Sequence, residues 1–205
     1  MDTAQTEPPF DLTPEQEELL LQIARAALER AVQTGQADEA WLPPTEVPDD
    51  LLEEGASFVT LHVDGALRGC IGSARAYRPL ALDVASNAMR ASLFDPRFAR
   101  IAEDELPRTS LEISILTPLT PLEYESSTDL IARLRPHVDG VMIIRDVHRA
   151  LLLPQTWEMI TDANDFMAAL CHKAGLPSDA YQEGALDVYT FQVHTIEEPA
   201  VTRET

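Results

Sequence analysis

The sequence predicts an α+β fold, with a mostly antiparallel or mixed sheet flanked by helices. Alternating, β-rich segments and helical segments are interspersed without a regular strand–helix–strand repeat, which argues against a parallel α/β sheet. Asp64-Gly65 separates two β-rich runs and is a strong two-residue hairpin signal. A second hairpin is expected around residues 146–149, and hairpins impose antiparallel pairing.

The elements follow in order. Residues 1–12 read as a loose tail. In Thr13-Pro14-Glu15-Gln16, Thr13 is the expected N-cap, Pro14 the first helical residue and Gln16 the partner in a capping box. Leu19, Leu20, Ile23, Ala24, Ala27, Leu28 and Ala31 recur at helical spacing and predict one apolar face, with Gly35 as the stop. Residues 36–50 form a proline-bearing connector, and residues 49–54 are too short to assign. Residues 57–63 alternate as a strand, and residues 66–71 return as its partner. Across an Asp64-Gly65 turn, Val63 opposes Ala66 and His62 opposes Leu67. Strict alternation then places Arg68 and Cys70 on one face and Leu67, Gly69 and Ile71 on the other.

Residues 79–94 predict a helix with Leu80, Val84, Ala88 and Met89 along one face, ended by Asp95-Pro96. Residues 104–107 lead into an alternating strand at 111–116, and Pro118 and Pro121 keep the next stretch extended. Thr128 is the expected cap of a short helix reaching Arg135. Asp139-Gly140 reads as a turn before a strand at 141–144; residues 146–149 read as a loop and 150–153 as the returning strand. Asp162 caps a helix through Ala174, with Gly175 as C-cap and Pro177 beyond. A final strand is expected at 188–194, then a tail.

Composition narrows the function classes. The formal net charge of −20 argues against nucleic acid and against an anionic membrane surface. No apolar run approaches a bilayer span, and the acidic N-terminus lacks a signal-peptide core. Two cysteines far apart make no disulfide framework, so a reducing cytoplasm is the expected compartment. The charge is uneven: residues 1–50 hold twelve Asp/Glu and two Arg, whereas residues 66–108 hold seven Arg and five Asp/Glu. That arginine-rich stretch is a candidate anion site, or else a set of ion pairs with its own carboxylates.

Within it lies Leu67-Arg68-Gly69-Cys70-Ile71-Gly72-Ser73. Glycines on both sides of a cysteine suggest positive φ or a close approach by another group. An arginine on the same face would favour the thiolate, so Cys70 is a candidate nucleophile and Arg68 its candidate counter-charge. The alternative is a structural turn with a buried, inert thiol. Backbone N–H groups along Gly69, Ile71, Gly72 and Ser73 are candidate anion or oxyanion donors. His62 could reach Cys70 across a diagonal. No P-loop, dinucleotide fingerprint or metal-ligand spacing is present, so no cofactor and no metal are expected. Gln155 in Leu153-Pro154-Gln155 offers amide groups, and Trp157 reads as core. Lys173, the only lysine, reads as a solvated helix end.

The segments together resemble the AMME-syndrome candidate gene product (AMMECR) family, known in prokaryotes as AmmeMemoRadiSam system protein A. Leu67-Arg68-Gly69-Cys70-Ile71-Gly72 is similar to the family's signature hexapeptide. Gly55-Ala56-Ser57-Phe58-Val59-Thr60-Leu61, Asp95-Pro96-Arg97-Phe98, Leu111-Glu112-Ile113-Ser114-Ile115-Leu116, Asp139-Gly140-Val141, Leu153-Pro154-Gln155 and Leu170-Cys171-His172-Lys173-Ala174-Gly175-Leu176 match in the same order. Thr156 departs from the hydrophobic residue usual after Leu-Pro-Gln, and Ser92-Leu93-Phe94 from a common Ala-Ala-Phe.

The resemblance implies one domain over residues 14–198, built of two interleaved subdomains with a cleft between them and tails at 1–12 and 199–205. It implies a site near the hexapeptide, lined also by Arg97, Gln155 and Lys173. It implies Memo-like and radical-SAM proteins as possible partners. The function expected is an enzyme, or an enzyme component, with Cys70 as nucleophile for a small anionic substrate. The alternative is a non-catalytic module that docks such a partner.

Overall fold

Thr13 opens the first helix as its local sequence requires. In the computed structural model, which describes residues 12–198, the Thr13 hydroxyl accepts the Gln16 N–H and the Gln16 side chain accepts the Thr13 N–H. Helix α1 (Pro14–Thr34) buries Leu20, Ile23, Ala24, Ala27, Leu28 and Ala31. Gly35 ends it at φ 67°, a left-handed conformation glycine adopts without strain. Leu12, expected in the tail, packs against the same core. The rest of the two expected tails lies outside the described residues.

Strand β1 (Glu54–Val63) starts three residues earlier than the alternating run suggests, directly after a 3-10 turn at Asp49–Leu52. It pairs antiparallel with β2 (Ala66–Gly72) through a two-residue turn. Asp64 and Gly65 take φ 51° and 81°, the positive values that a type I′ turn demands. Arg108 braces the turn with a 2.5 Å ion pair to Asp64. The short β3 (Arg78–Pro79) pairs with the start of β1. Helix α2 (Leu80–Leu93) follows and buries twelve of its fourteen residues. A single apolar face was the expectation; the helix is instead wrapped by α1 on one side and β1 and β2 on the other.

After a 3-10 turn at Glu103–Arg108, β4 (Thr109–Leu116) lies antiparallel on the other side of β1. The chain then builds a second unit, Thr117–Val193, before returning to the first. The second unit contains β5 (Thr120–Pro121), α3 (Ser127–Arg133), β6 (Gly140–Arg145), β7 (His148–Leu152), α4 (Ala163–Lys173) and β8 (Asp187–Phe191). Its sheet order is β5-β8-β6-β7. The last strand, β9 (Val193–Glu197), joins the first sheet, whose order is β2-β1-β4-β9 with β3 on β1. The fold class is therefore α+β with two sheets, one in each unit.

Several local expectations need correction. The strand expected at 188–194 is two strands in different sheets, separated at Gln192. Glu197 is in β9 rather than in a tail, and Glu198 pairs with Arg25 of α1. Ser126, not Thr128, caps α3, its hydroxyl accepting the Asp129 N–H at 3.2 Å. Gly140 starts β6 instead of forming a turn; a Cβ there would lie 2.4 Å from the Phe191 ring. The second hairpin turn is only Asp146 and Val147, with Asp146 at φ 56°. Asp162 does cap α4, accepting the Asn164 and Asp165 N–H groups.

Each unit has its own core. In the second, Trp157 stacks on Phe166 with ring centroids 3.8 Å apart and donates its indole N–H to the Asp139 carbonyl. In the first, α2 presses so closely on β2 that a Cβ on Gly69 would stand 2.3 Å from the Ala91 carbonyl oxygen. The obstacle is helix backbone, so a side chain there forces the strand off the helix. Gly69→Ala is expected to destabilise the fold by about 3 kcal/mol, an overpacking cost. Urea unfolding checks this: a loss under about 0.5 kcal/mol would show that the close approach is not a constraint.

Candidate functional site

The pairing of β1 with β2 slips by one residue. His62 faces Leu67, as the turn dictates, but Leu61 faces Gly69, so Arg68 is unpaired in a β-bulge. Beyond the bulge Thr60 faces Cys70, Val59 faces Ile71 and Phe58 faces Gly72. The uninterrupted register of the sequence analysis would set Cys70 opposite Val59, which is fully buried. One extra residue therefore moves Cys70 from the core face to the outer face and turns Gly69 and Ile71 inward. Ile71 packs on the first-unit core, whereas Cys70 is half-buried.

Arg68 is committed elsewhere. Its Nε and Nη2 each bind a Glu105 carboxylate oxygen at 3.0 Å. Its Nη1 donates to the Ala99 carbonyl and its Nη2 to the Arg100 carbonyl at 3.1 Å. The expected Arg68–Cys70 pairing on one face is thus corrected: the bulge breaks the alternation, and the guanidinium is held by a neighbouring loop.

The cation beside Cys70 is Arg97. Asp95 Oδ2 accepts the Cys70 backbone N–H at 2.8 Å and Arg97 Nη2 at 2.7 Å. Asp95 Oδ1 accepts the Arg97 backbone N–H and Nε, both at 3.0 Å. Asp95 is 4% exposed, whereas the Arg97 side chain is 54% exposed. Hydrogen bonds from Arg97 chiefly hold the Asp95 carboxyl down, to about 2. Arg97 is raised above its ordinary value, mainly by Asp95 and in smaller part by the Cys70 sulfur beside it. On the sheet side, Thr60 Oγ1 lies 3.4 Å from Cys70 Sγ and donates to it.

The remaining expected residues fall differently. Gly69 and Gly72 do not use positive φ. They allow close approach, Gly69 by α2 and Gly72 by the Phe58 ring, 2.2 Å from where a Cβ would stand. The array of backbone donors expected along residues 69–73 is not assembled. In an extended strand successive N–H groups point opposite ways, and here Cys70 N–H goes to Asp95 while Ser73 N–H goes to the Ser57 carbonyl. Ser73 also closes a small turn, its hydroxyl donating to the Arg75 carbonyl. Gln155 and Lys173 lie in the second unit: Gln155 is half-buried in a 3-10 turn, and Lys173 Nζ donates to the Leu151 carbonyl at 3.0 Å. Trp157 is core, as its sequence suggests.

Three residues that the sequence analysis did not assign stand at the site: Thr60, Asp95 and Glu112. Thr60 is paired across the strands with Cys70 on one side and Glu112 on the other, so the three form one row on the outer face. Burial pushes the Glu112 carboxyl up, Glu197 adds to this, and His62 opposes it. A cavity of about 270 Å³ opens at this end of the sheet, lined by His62, Gly65, Ser110, Leu111, Glu112, Glu197 and Glu198. Behind the row, buried Asp83 accepts the Ser57 N–H and hydroxyl and the Asn87 amide, tying β1 to α2. Among the described residues, no group of three or more His, Cys, Asp or Glu is placed to hold a metal ion, and no helix is long and apolar enough to cross a membrane.

A half-buried thiol on a bulged edge strand, flanked by a threonine hydroxyl and a carboxylate-anchored arginine, defines an α+β protein with a thiol-centred candidate site. The chain belongs to the AMMECR1 family, whose model matches residues 21–196. It is 38% identical over 180 residues to a protein of Methanothermobacter thermautotrophicus, covering 87% of this chain and 92% of that one. It is 34% identical over 187 residues to Protein PF1979 of Pyrococcus furiosus, covering 88% and 87%. The crystal structure of the uncharacterized protein PH0010 from Pyrococcus horikoshii is similar at a TM-score of 0.85 and 32% identity, covering 93% of this chain and 95% of that one.

The Asp95 geometry carries a pH consequence. Its carboxyl sits at about 2 in the folded chain against an ordinary 3.8, so it stabilises the fold above 3.8 and that contribution is lost as pH falls toward 2. With Arg97 largely exposed, solvent screening limits the contribution to about 1–2 kcal/mol. Asp95→Asn should therefore be less stable than the parent at pH 6, with the gap closing between pH 4 and pH 2. Parallel denaturation curves across that range check it; a constant gap would remove Asp95 from the acid dependence.

Proposed function

We propose that this chain is an enzyme, or an enzyme component, in which Cys70 acts as a thiolate nucleophile on a small substrate carrying an anionic group. The observation that carries this reading is the Asp95 bridge, which fixes the Arg97 guanidinium beside the thiol. A nearby cation favours the thiolate over the thiol, and the same exposed guanidinium is available to a carboxylate or phosphate on the substrate. Asp95 supplies rigidity, because its buried carboxylate binds Arg97 through both oxygens and leaves it little freedom. Arg68 acts at one remove by holding the bulge. Ile71, Gly72 and Ser73 are given no substrate contact, because Ile71 packs on the core and the Ser73 N–H is taken by the Ser57 carbonyl; contacts from Gln155 and Lys173 rest on the family resemblance alone.

Two alkylating reagents separate charge from accessibility. Iodoacetate is an anion and iodoacetamide is neutral, so the ratio of their rates at Cys70, followed by peptide mapping, reports the local field. Arg97→Gln is expected to lower that ratio about fivefold, the effect of roughly 1 kcal/mol for a surface charge pair. An unchanged ratio removes Arg97 from ligand binding, and a Cys70 unmodified by either reagent in the folded protein overturns the nucleophile.

A second reading, docking of a Memo-like or radical-SAM partner, is favoured by large apolar side chains near the same segments. Phe94, next to Asp95, is 49% exposed, and Leu67, next to the bulge, is 42% exposed. With purified partners, this reading expects Phe94→Asp to abolish capture and Cys70→Ser to retain it. Retention by Phe94→Asp would count against docking at this surface.

A further inference from the structure

We propose that Thr60 is a catalytic residue of the Cys70 site: its hydroxyl donates a hydrogen bond to the sulfur and stabilises it as the thiolate. The assignment rests on the reading of Cys70 as a nucleophile and adds a residue to it. Thr60 Oγ1 is 3.4 Å from Cys70 Sγ, hydrogen-bonding range for sulfur, and both residues are half-buried.

The contact is asymmetric between the two states of the sulfur. A hydroxyl both donates and accepts, and a thiol is only a weak partner in either role. A thiolate has no proton and can only accept, so ionisation turns an ambivalent contact into a charge-assisted one. The thiol proton passes to solvent and the threonine keeps its own, so Thr60 stabilises the anion without acting as a base. Its donor is also held in place. A β-branched side chain on a strand has a stiff χ1. In the structure the Thr60 hydroxyl donates to the sulfur, while the Glu112 carboxylate on its other side accepts the Ser114 hydroxyl at 3.4 Å.

The bulge makes this pairing. Without the unpaired Arg68, Cys70 would stand opposite Val59, a residue with no side-chain donor, and Thr60 would stand opposite Gly69. With it, the thiol has a hydroxyl on its sheet side and the Asp95–Arg97 pair on its open edge.

The test compares Thr60→Val, which keeps shape and branching but loses the donor, with Thr60→Ser, which restores it. The readout is the rate of Cys70 alkylation by iodoacetamide at pH 7 divided by the rate at pH 9.5, with the modified peptide identified by mass. Losing a hydrogen bond to a charged group is expected to lower this ratio about tenfold in Thr60→Val, with Thr60→Ser within about twofold of the parent. If Thr60→Val does not fold, Thr60→Ala serves as the donor-free variant. A ratio unmoved by donor loss overturns the assignment, as does a serine that fails to restore it. If Cys70 of the parent chain and of Arg97→Gln behave alike and no faster than a free thiol at pH 7, the underlying nucleophile reading fails instead. A normal parent and a normal Arg97→Gln effect with indifferent Thr60 variants isolate the failure to Thr60.

Discussion

Because side chains alternate along a strand, one unpaired residue at Arg68 exchanges the faces of every residue that follows it in β2. The site depends on that exchange. It puts the sulfur outside the core, beside Thr60, and puts Gly69 inside, where only a residue without a side chain tolerates the α2 backbone. The bulge is held from outside the sheet, by Glu105 and two loop carbonyls that together bind all three nitrogens of the Arg68 guanidinium. Its arginine is structural, and its structural work decides where the neighbouring thiol points.

Charge is arranged on the same principle of local commitment. The arginine-rich stretch looks like an anion-attracting patch in a chain of net charge −20. In the fold Arg68 pairs with Glu105, Arg78 with Asp83 and Glu39, Arg90 with Glu39, Arg97 with Asp95 and Arg108 with Asp64. Five of the seven arginines in the stretch are thus each matched by a carboxylate, which weakens the positive field they would otherwise sum to. Arg97 differs from the others in kind: its carboxylate partner is buried while it is not, so a fixed cationic head is presented next to the sulfur.

Much of the fold was legible because its signals are local. Helix α1 announces its cap, face and stop within a few residues of each, and Asp64-Gly65 specifies its turn by backbone conformation alone. What failed needed distant partners. No local pattern marks the bulge, because the groups that hold its arginine, Glu105 and the Ala99 and Arg100 carbonyls, lie 31 to 37 positions away. Nothing in residues 188–194 says that the run splits at Gln192, since the split follows from which sheet each half joins. Cys70 and Arg97 were singled out through their motifs, and the fold joins them through Asp95. Asp95 was read only as a helix terminator, Glu112 only as a strand position and Thr60 only as part of a matched segment, because their contacts with Cys70 and its row exist only across strands and loops.

The second unit begins at Thr117 and ends at Val193, and Thr117 and Gln192 grip each other across that junction through two hydrogen bonds. The first sheet is therefore interrupted in sequence but closed in space. Strand β9 and the Glu198 carboxylate, which together complete the sheet and clasp Arg25 of α1, are synthesised after the whole inserted unit. On the ribosome, the thiol hairpin and its helices must wait as an incomplete sheet with β4 bare along one side. The insertion thus delays the closure of the first unit, and the Thr117–Gln192 bonds, by holding the two ends of the inserted unit together, set the point from which β9 runs back to β4.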